Sequence, residues 1–168
     1  MTFNDSAIVL RRIDFREADK RLIFYSEHHG LLTAVAIGAK KITSKLSGHL
    51  EPFTLVRVMI AAGRQFDKVA QAQTLWRPKN ISGERFIYMS ATAELIVRAT
   101  KEGVTDGALF DDLRKVLAWL DTADAAIGRQ LWDEFAKKVL KHLGFGEIHS
   151  DARAAVQKYL EFDLKSLN

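Results

Sequence analysis

No cysteine occurs in the chain. Disulfides and thiolate zinc sites are therefore excluded, and the composition suits the reducing cytoplasm. Long apolar runs are missing as well: none reaches the roughly 18–20 residues of a membrane span. The opening MTFNDSAIVL has no basic stretch ahead of a long apolar segment, so no secretory signal is expected. Proline occurs only twice, at Pro52 and Pro78, and acidic residues are absent from His28 through Leu50. There is no glycine-rich phosphate loop, no GxSxG turn and no HExxH. Nothing here argues for an enzyme, and no cofactor is expected.

What is present is an ample apolar share, 48% of 168 residues, enough for one mid-sized domain or two small ones. The formal net charge of +4 is unevenly spread. Residues 1–80 hold 13 Lys/Arg against 7 Asp/Glu, whereas residues 81–168 hold 12 against 14. The first half alone makes the protein basic. Its acid-free block, with Lys40, Lys41 and Lys45, favours a polyanion such as a nucleic acid or an anionic membrane surface; the alternative is a plain solvated face.

The hydrophobic period changes at Pro78. Before it, five short runs alternate as strands do: 6–15, 21–27, 31–39, 53–62 and 68–76. In the fourth, Val56, Val58 and Ile60 share one face and Arg57 takes the other. Five strands with one long connection fit an OB-type barrel, although an SH3-like barrel would show similar counts. After Pro78 the period is helical. Asn80 or Ser82 is placed to cap a first helix carrying Phe86, Met89, Ala93 and Ile96, and Asp106 opens a second. Thr122 or Asp124 opens a third with Ile127, Leu131, Phe135 and Val139, ending at Gly144, and a fourth spans about Asp151 to Glu161. The expected class is α+β, with an OB-fold barrel over residues 1–79 and a helical domain over 80–168.

Candidate catalytic groups are few. Asp14, Glu17 and Asp19 would serve a metal-dependent nuclease, but the neighbouring Arg11, Arg12, Arg16, Lys20 and Arg21 offer simpler ion pairs. His28 and His29, read as strand residues, point to opposite faces, and with His49 they make a poor metal set. Asp111 and Asp112 fall where carboxylates favour a helix N-terminus. The three tryptophans, Trp76, Trp119 and Trp132, are expected to pack the helices.

Three segments carry a family resemblance: EADKR (17–21), GLLTAVAIGAKK (30–41) and SKLSGHLEPFT (44–54). In this order and spacing they resemble the amino-terminal domain of the RecO family of bacterial recombination mediators. FAKKVLKHLGFGEI (135–148) and YLEFDLKSL (159–167) are similar to its helical domain and closing segment. The resemblance implies an OB-fold followed by helices, DNA repair and recombination through binding of single- and double-stranded DNA, and annealing of complementary strands. It also implies partnership with RecR and the tail of the single-strand-binding protein SSB, in loading RecA, with a cytoplasmic, nucleoid-associated location. Many members carry a cysteine-bearing zinc module after the LGF turn. Here HSDARAAVQ runs directly into the last helix, so zinc binding is not carried over.

On this reading the DNA-binding residues are Lys40, Lys41, Lys45, His49, Arg57, Arg11, Arg12 and Arg64, acting on phosphates without sequence preference. Phe24, Tyr25 and Phe66 are candidate stacking platforms, with Phe66 beside Arg64 at a groove edge. Lys137, Lys138 and Lys141 on the third helix are the candidate partner-binding residues for an acidic peptide tail. An OB-type RNA-binding module without annealing activity is the alternative.

Overall fold

A computed structural model describes residues 1–168. Its first unit holds Met1–Arg77 together with Thr100–Phe110, and its second holds Pro78–Ala99 with Asp111–Asn168.

The first unit is built on β1 (Thr2–Asp14), β2 (Lys20–Ser26), β3 (Gly30–Ala36), β4 (Leu55–Ala61) and β5 (Lys68–Trp76). β1 is long enough to serve two partners. Its first half pairs antiparallel with β4, from Thr2↔Ala61 to Ile8↔Leu55, and its second half pairs with β2 as far as Asp14↔Lys20. The register shifts between Val9 and Arg11, a bulge that bends the strand from one partner toward the other. β3 meets β5 through the parallel pair Val35↔Lys68, which closes the barrel in the order β1-β2-β3-β5-β4. This strand order is the expected OB-type layout, which the strand count alone does not separate from an SH3-like barrel.

Alternation sorts the side chains as the period demands. Val56, Val58 and Ile60 are fully buried in the barrel with Val9, Leu22 and Phe24, while Arg57 is exposed. The 37–54 connection adds a plug: Leu46 and Leu50 flank a 3-10 turn at Ser47–His49 and pack against this core. Tyr25 faces away from Phe24, yet it too is buried. Segment 100–110, which the period reading placed in the helical half, lies back along β3. Glu102 bridges to Gly30 and Leu31, and the Gly103 N–H donates to the Leu31 carbonyl at 3.2 Å. Burial, with the nearby Asp106 charge second, pushes the Tyr25 hydroxyl up to about 12.

The helices are α1 (Gly83–Ala99), α2 (Gly107–Leu120), α3 (Ala125–His142) and α4 (Ala152–Leu160). Asp124 caps α3 by accepting from the Ile127 N–H at 3.0 Å, and Asp151 caps α4 by accepting from Ala154 at 3.0 Å. Gly144, at φ +91°, lies just past the end of α3. Within the second unit Met89, Ala93, Ile96, Phe135 and Val139 form buried stripes, and Trp132 is buried with them. Three expected core residues are not core: Phe86, Ile127 and Trp119 are each about half exposed. Phe86 and Ile127 lie in the first turns of α1 and α3. Asp111 and Asp112 fall in the second turn of α2 rather than its first. Asp111 pairs with Arg114 and Lys115, and Asp112 pairs with His142 at 3.0 Å. No helix is long and apolar enough to cross a membrane.

Entry into the helical unit is fixed by one buried carboxylate. Asp121 Oδ1 accepts from the Lys79 N–H at 2.8 Å and the Asn80 N–H at 3.0 Å. Asp121→Ala strands both amides and is expected to cost about 2 kcal/mol, measured by chemical denaturation. A loss under about 0.5 kcal/mol would show that water replaces the carboxylate.

Candidate nucleic-acid interface

Three connections meet at one end of the barrel: the β1–β2 turn (15–19), the start of the 37–54 connection, and the β4–β5 turn (62–67). Hydrogen bonds hold them together. The Lys40 N–H donates to the Ala18 carbonyl at 3.0 Å, and the Val35 N–H donates to the Asp67 carbonyl at 2.8 Å. Asp19, nearly buried, accepts from the Gly38 N–H at 2.8 Å. Gly38 itself sits at φ +68°, which turns the chain from β3 into the connection.

On this rim the Phe15 and Phe66 rings meet edge to face, 5.6 Å between centroids. The Arg16 guanidinium lies 5.1 Å from one ring and 5.0 Å from the other, and Arg21 lies 4.5 Å from Phe15. Arginine over an aromatic face is attracted by the ring quadrupole and keeps its outward N–H groups available for phosphate. Each ring is partly buried, so a base face has somewhere to lie.

The predicted residues divide by place. Lys40, Lys41 and Arg64 stand on this rim. Lys41 and Arg64 are exposed and pair with no carboxylate, whereas Lys40 is partly spent, its Nζ donating to the Arg16 carbonyl at 2.9 Å and lying 3.5 Å from Asp14. Lys45 is exposed farther along the connection. His49 belongs to the plug. Its Nδ1 accepts from the Thr74 N–H at 3.2 Å, which leaves the ring proton on Nε2 and ties the connection to β5. Arg12 pairs with Glu51 at 2.7 Å, while Arg11 is exposed on β1 beyond the bulge. Arg57 points outward between Ser6 and Gln73. It stands four residues down β4 from Ala61, about 13 Å from the rim turn.

Residues missed by sequence reasoning are Phe15, Arg16 and Arg21; it reads the two arginines only as ion-pair neighbours of the acids and does not single out Phe15. Their signal was positional: in this strand order the first and last turns share an end. The acids do not converge on a metal. The Lys20 ammonium, in hydrogen bond with Asp14, holds that carboxyl below the usual range, and Asp19 is committed to Gly38. Of the candidate platforms, Phe24 and Tyr25 are both buried, the first in the core and the second on the opposite face. Only Phe66 is available to a base.

In the helical unit the three lysines of α3 each meet a carboxylate: Lys137 with Asp133 at 2.8 Å, Lys138 with Asp112 at 3.5 Å, and Lys141 with Glu147. Only Lys138 lines the shallow groove between α2 and α3, where Trp119, Leu131 and Phe135 supply apolar surface. Lys115 and Glu134 also line it, so its charge is mixed.

Comparison with known proteins agrees with both halves. The family model "Recombination protein O N terminal" matches residues 1–76, and "Recombination protein O C terminal" matches residues 82–165. The DNA repair protein RecO of Pelotomaculum thermopropionicum is 38% identical over 145 residues, 85% of this chain and 56% of that protein. Those of Rubrobacter xylanophilus and Syntrophomonas wolfei are 30% and 28% identical, over 75% and 88% of this chain and 51% and 59% of theirs. The chain spans about half the length of these curated relatives.

Proposed function

Because the chain belongs to the RecO family, we propose that it acts in DNA repair and recombination by binding DNA on the barrel rim and annealing complementary strands. The observation that supports this most is the rim itself: unpaired Lys41 and Arg64 beside two arginines laid over aromatic rings. Cations supply affinity through counterion release, and the rings offer sequence-tolerant stacking. A surface that holds single strands by their phosphates leaves base edges free to find a complement. With Lys45 and Arg11 as flanking contacts, about six phosphates are neutralised, for a slope of roughly −4 in log K against log salt on single strands.

The same reading includes RecR and the SSB tail as partners and help in loading RecA. We place the SSB tail at the α2–α3 groove, with Trp119 as the apolar contact and Lys115 and Lys138 as the cations. No cysteine is present to build the zinc module of many members, so that module has no part in the proposal.

The test is annealing of two complementary oligonucleotides, bare and coated with SSB, at low and moderate salt. Acceleration that weakens with salt and survives SSB is the expected result. Binding without acceleration would reduce the protein to a nucleic-acid-binding module, and equal affinity for RNA would favour the alternative reading.

A further inference from the structure

A second cluster lies at the β2–β3 turn and owes nothing to the rim. Contrary to the strand reading, β2 ends at Ser26, so His28 and His29 both lie in the turn and both rings face one carboxylate. That carboxylate is Asp5 on β1, whose side chain is fully buried. Its two oxygens have different partners. Oδ1 accepts from the Ser6 N–H at 2.8 Å and meets His28 Nδ1 at 2.9 Å. Oδ2 accepts from the His28 N–H at 3.1 Å and meets His29 Nδ1 at 2.8 Å. The His29 ring is further fixed by stacking on Phe3, 4.0 Å between centroids. Glu27 completes the group: donor atoms of Asp5, Glu27 and His28 lie within 4.8 Å of one another.

We infer that Asp5, Glu27 and His28 form a binding site for a divalent transition ion of the zinc or cobalt class. Neighbouring ligands of a tetrahedral ion with bonds of roughly 2.0–2.1 Å stand about 3.3 Å apart. The 2.9 Å gap between Asp5 Oδ1 and His28 Nδ1 therefore needs only a small widening to admit one. On ion entry His28 presents Nδ1 as its lone pair and carries its proton on Nε2, which faces solvent, so the neutral ring keeps its proton count. Oδ2 stays held by His29 and the His28 amide, the supporting shell that orients a ligating carboxylate. Charge favours a cation here, since two carboxylates, Asp5 and Glu27, stand beside the His28 ring. The imidazole donor selects against magnesium and calcium, which take oxygen ligands. Glu27 and His28 are exposed, leaving room for water to complete the coordination.

The experiment uses the full chain stripped with a chelator and titrated with cobalt(II), then zinc(II), with magnesium(II) as comparator. Visible absorption reports cobalt coordination and calorimetry the stoichiometry. One cobalt per chain is expected, displaced by zinc and not by equimolar magnesium. His28→Gln and Glu27→Gln should each weaken binding about 10-fold or more. His149→Gln, an exposed histidine in the other unit, should not. Because the His28 ring also meets the buried Asp5 carboxylate, circular dichroism must show each variant folded before the titrations are compared. No saturable binding, or binding indifferent to His28→Gln, overturns the assignment and leaves the cluster as a pin for the turn. Either result is independent of whether the rim binds DNA.

Discussion

Gly30→Ala is expected to destabilise the protein by about 3 kcal/mol, lowering Tm by about 6–12 °C for a chain of this size. Two effects add. Gly30 sits at φ +65°, where an L side chain costs roughly 1–2 kcal/mol. A Cβ at this position would also stand 2.0 Å from the Val104 carbonyl oxygen, a backbone atom that can yield only if the chain itself moves. Segment 100–110 must then lift from β3, breaking the bridges of Glu102 and the Gly103–Leu31 hydrogen bond. Gly38→Ala is the built-in control. Its φ is +68°, but the nearest atom to a new Cβ is Lys41 Cδ at 3.7 Å, the flexible part of a side chain. That variant should lose only the backbone share, about 1–2 kcal/mol. Equal losses at the two glycines would mean that the close approach at Gly30 carries no energy.

Arg16→Gln, Lys41→Gln and Arg64→Gln combined should reduce single-strand affinity on the order of 100-fold near 0.1 M salt. Each neutralised phosphate contributes about 0.7 to the salt slope on single strands, so the slope should flatten by about 2. Net charge falls by three, and that alone weakens attraction to any polyanion. A second triple, Arg114→Gln, Lys115→Gln and Lys158→Gln, makes the same change in the helical unit. If both triples weaken binding alike, the attraction is diffuse and the rim is not a site. Arg16→Gln also removes a guanidinium from the Phe15 and Phe66 rings, each contact about 0.5–1 kcal/mol, so circular dichroism must show the barrel intact before affinities are compared.

Much of the fold was legible because it rests on period. Alternation at Val56, Val58 and Ile60 located a strand and its buried face, and the change after Pro78 located the helices. Local chemistry narrowed the opening of α3 to Thr122 or Asp124, of which Asp124 is the cap, set the start of α4 near Asp151, and gave the stop at Gly144. Exposure was less legible. A helical stripe says which residues align, and whether anything covers its end depends on neighbours, so Phe86 and Ile127 read as core and are half exposed. Site residues were the least legible. A lysine run announces charge, but the sequence does not say that Lys40 meets Asp14, or that Arg12 meets Glu51 across 39 positions. Nor does it say that Phe15 and Phe66, at opposite ends of the strand region, share a rim.

The barrel unit is written in two separate pieces of sequence, and this bears on how it can be made and moved. During synthesis all five strands exist once Trp76 has been added, but the strip that lies along β3 arrives only with residues 100–110, after α1. Until then the outer face at Tyr25 and Leu31 lacks a cover that the finished protein provides. A nascent barrel therefore passes through an interval with apolar surface open to other chains, the condition under which newly made proteins aggregate. For the same reason a graft or swap that cuts at residue 79 would transplant an unfinished module. The transferable unit includes the strip, and with it the helix that carries the chain out and back.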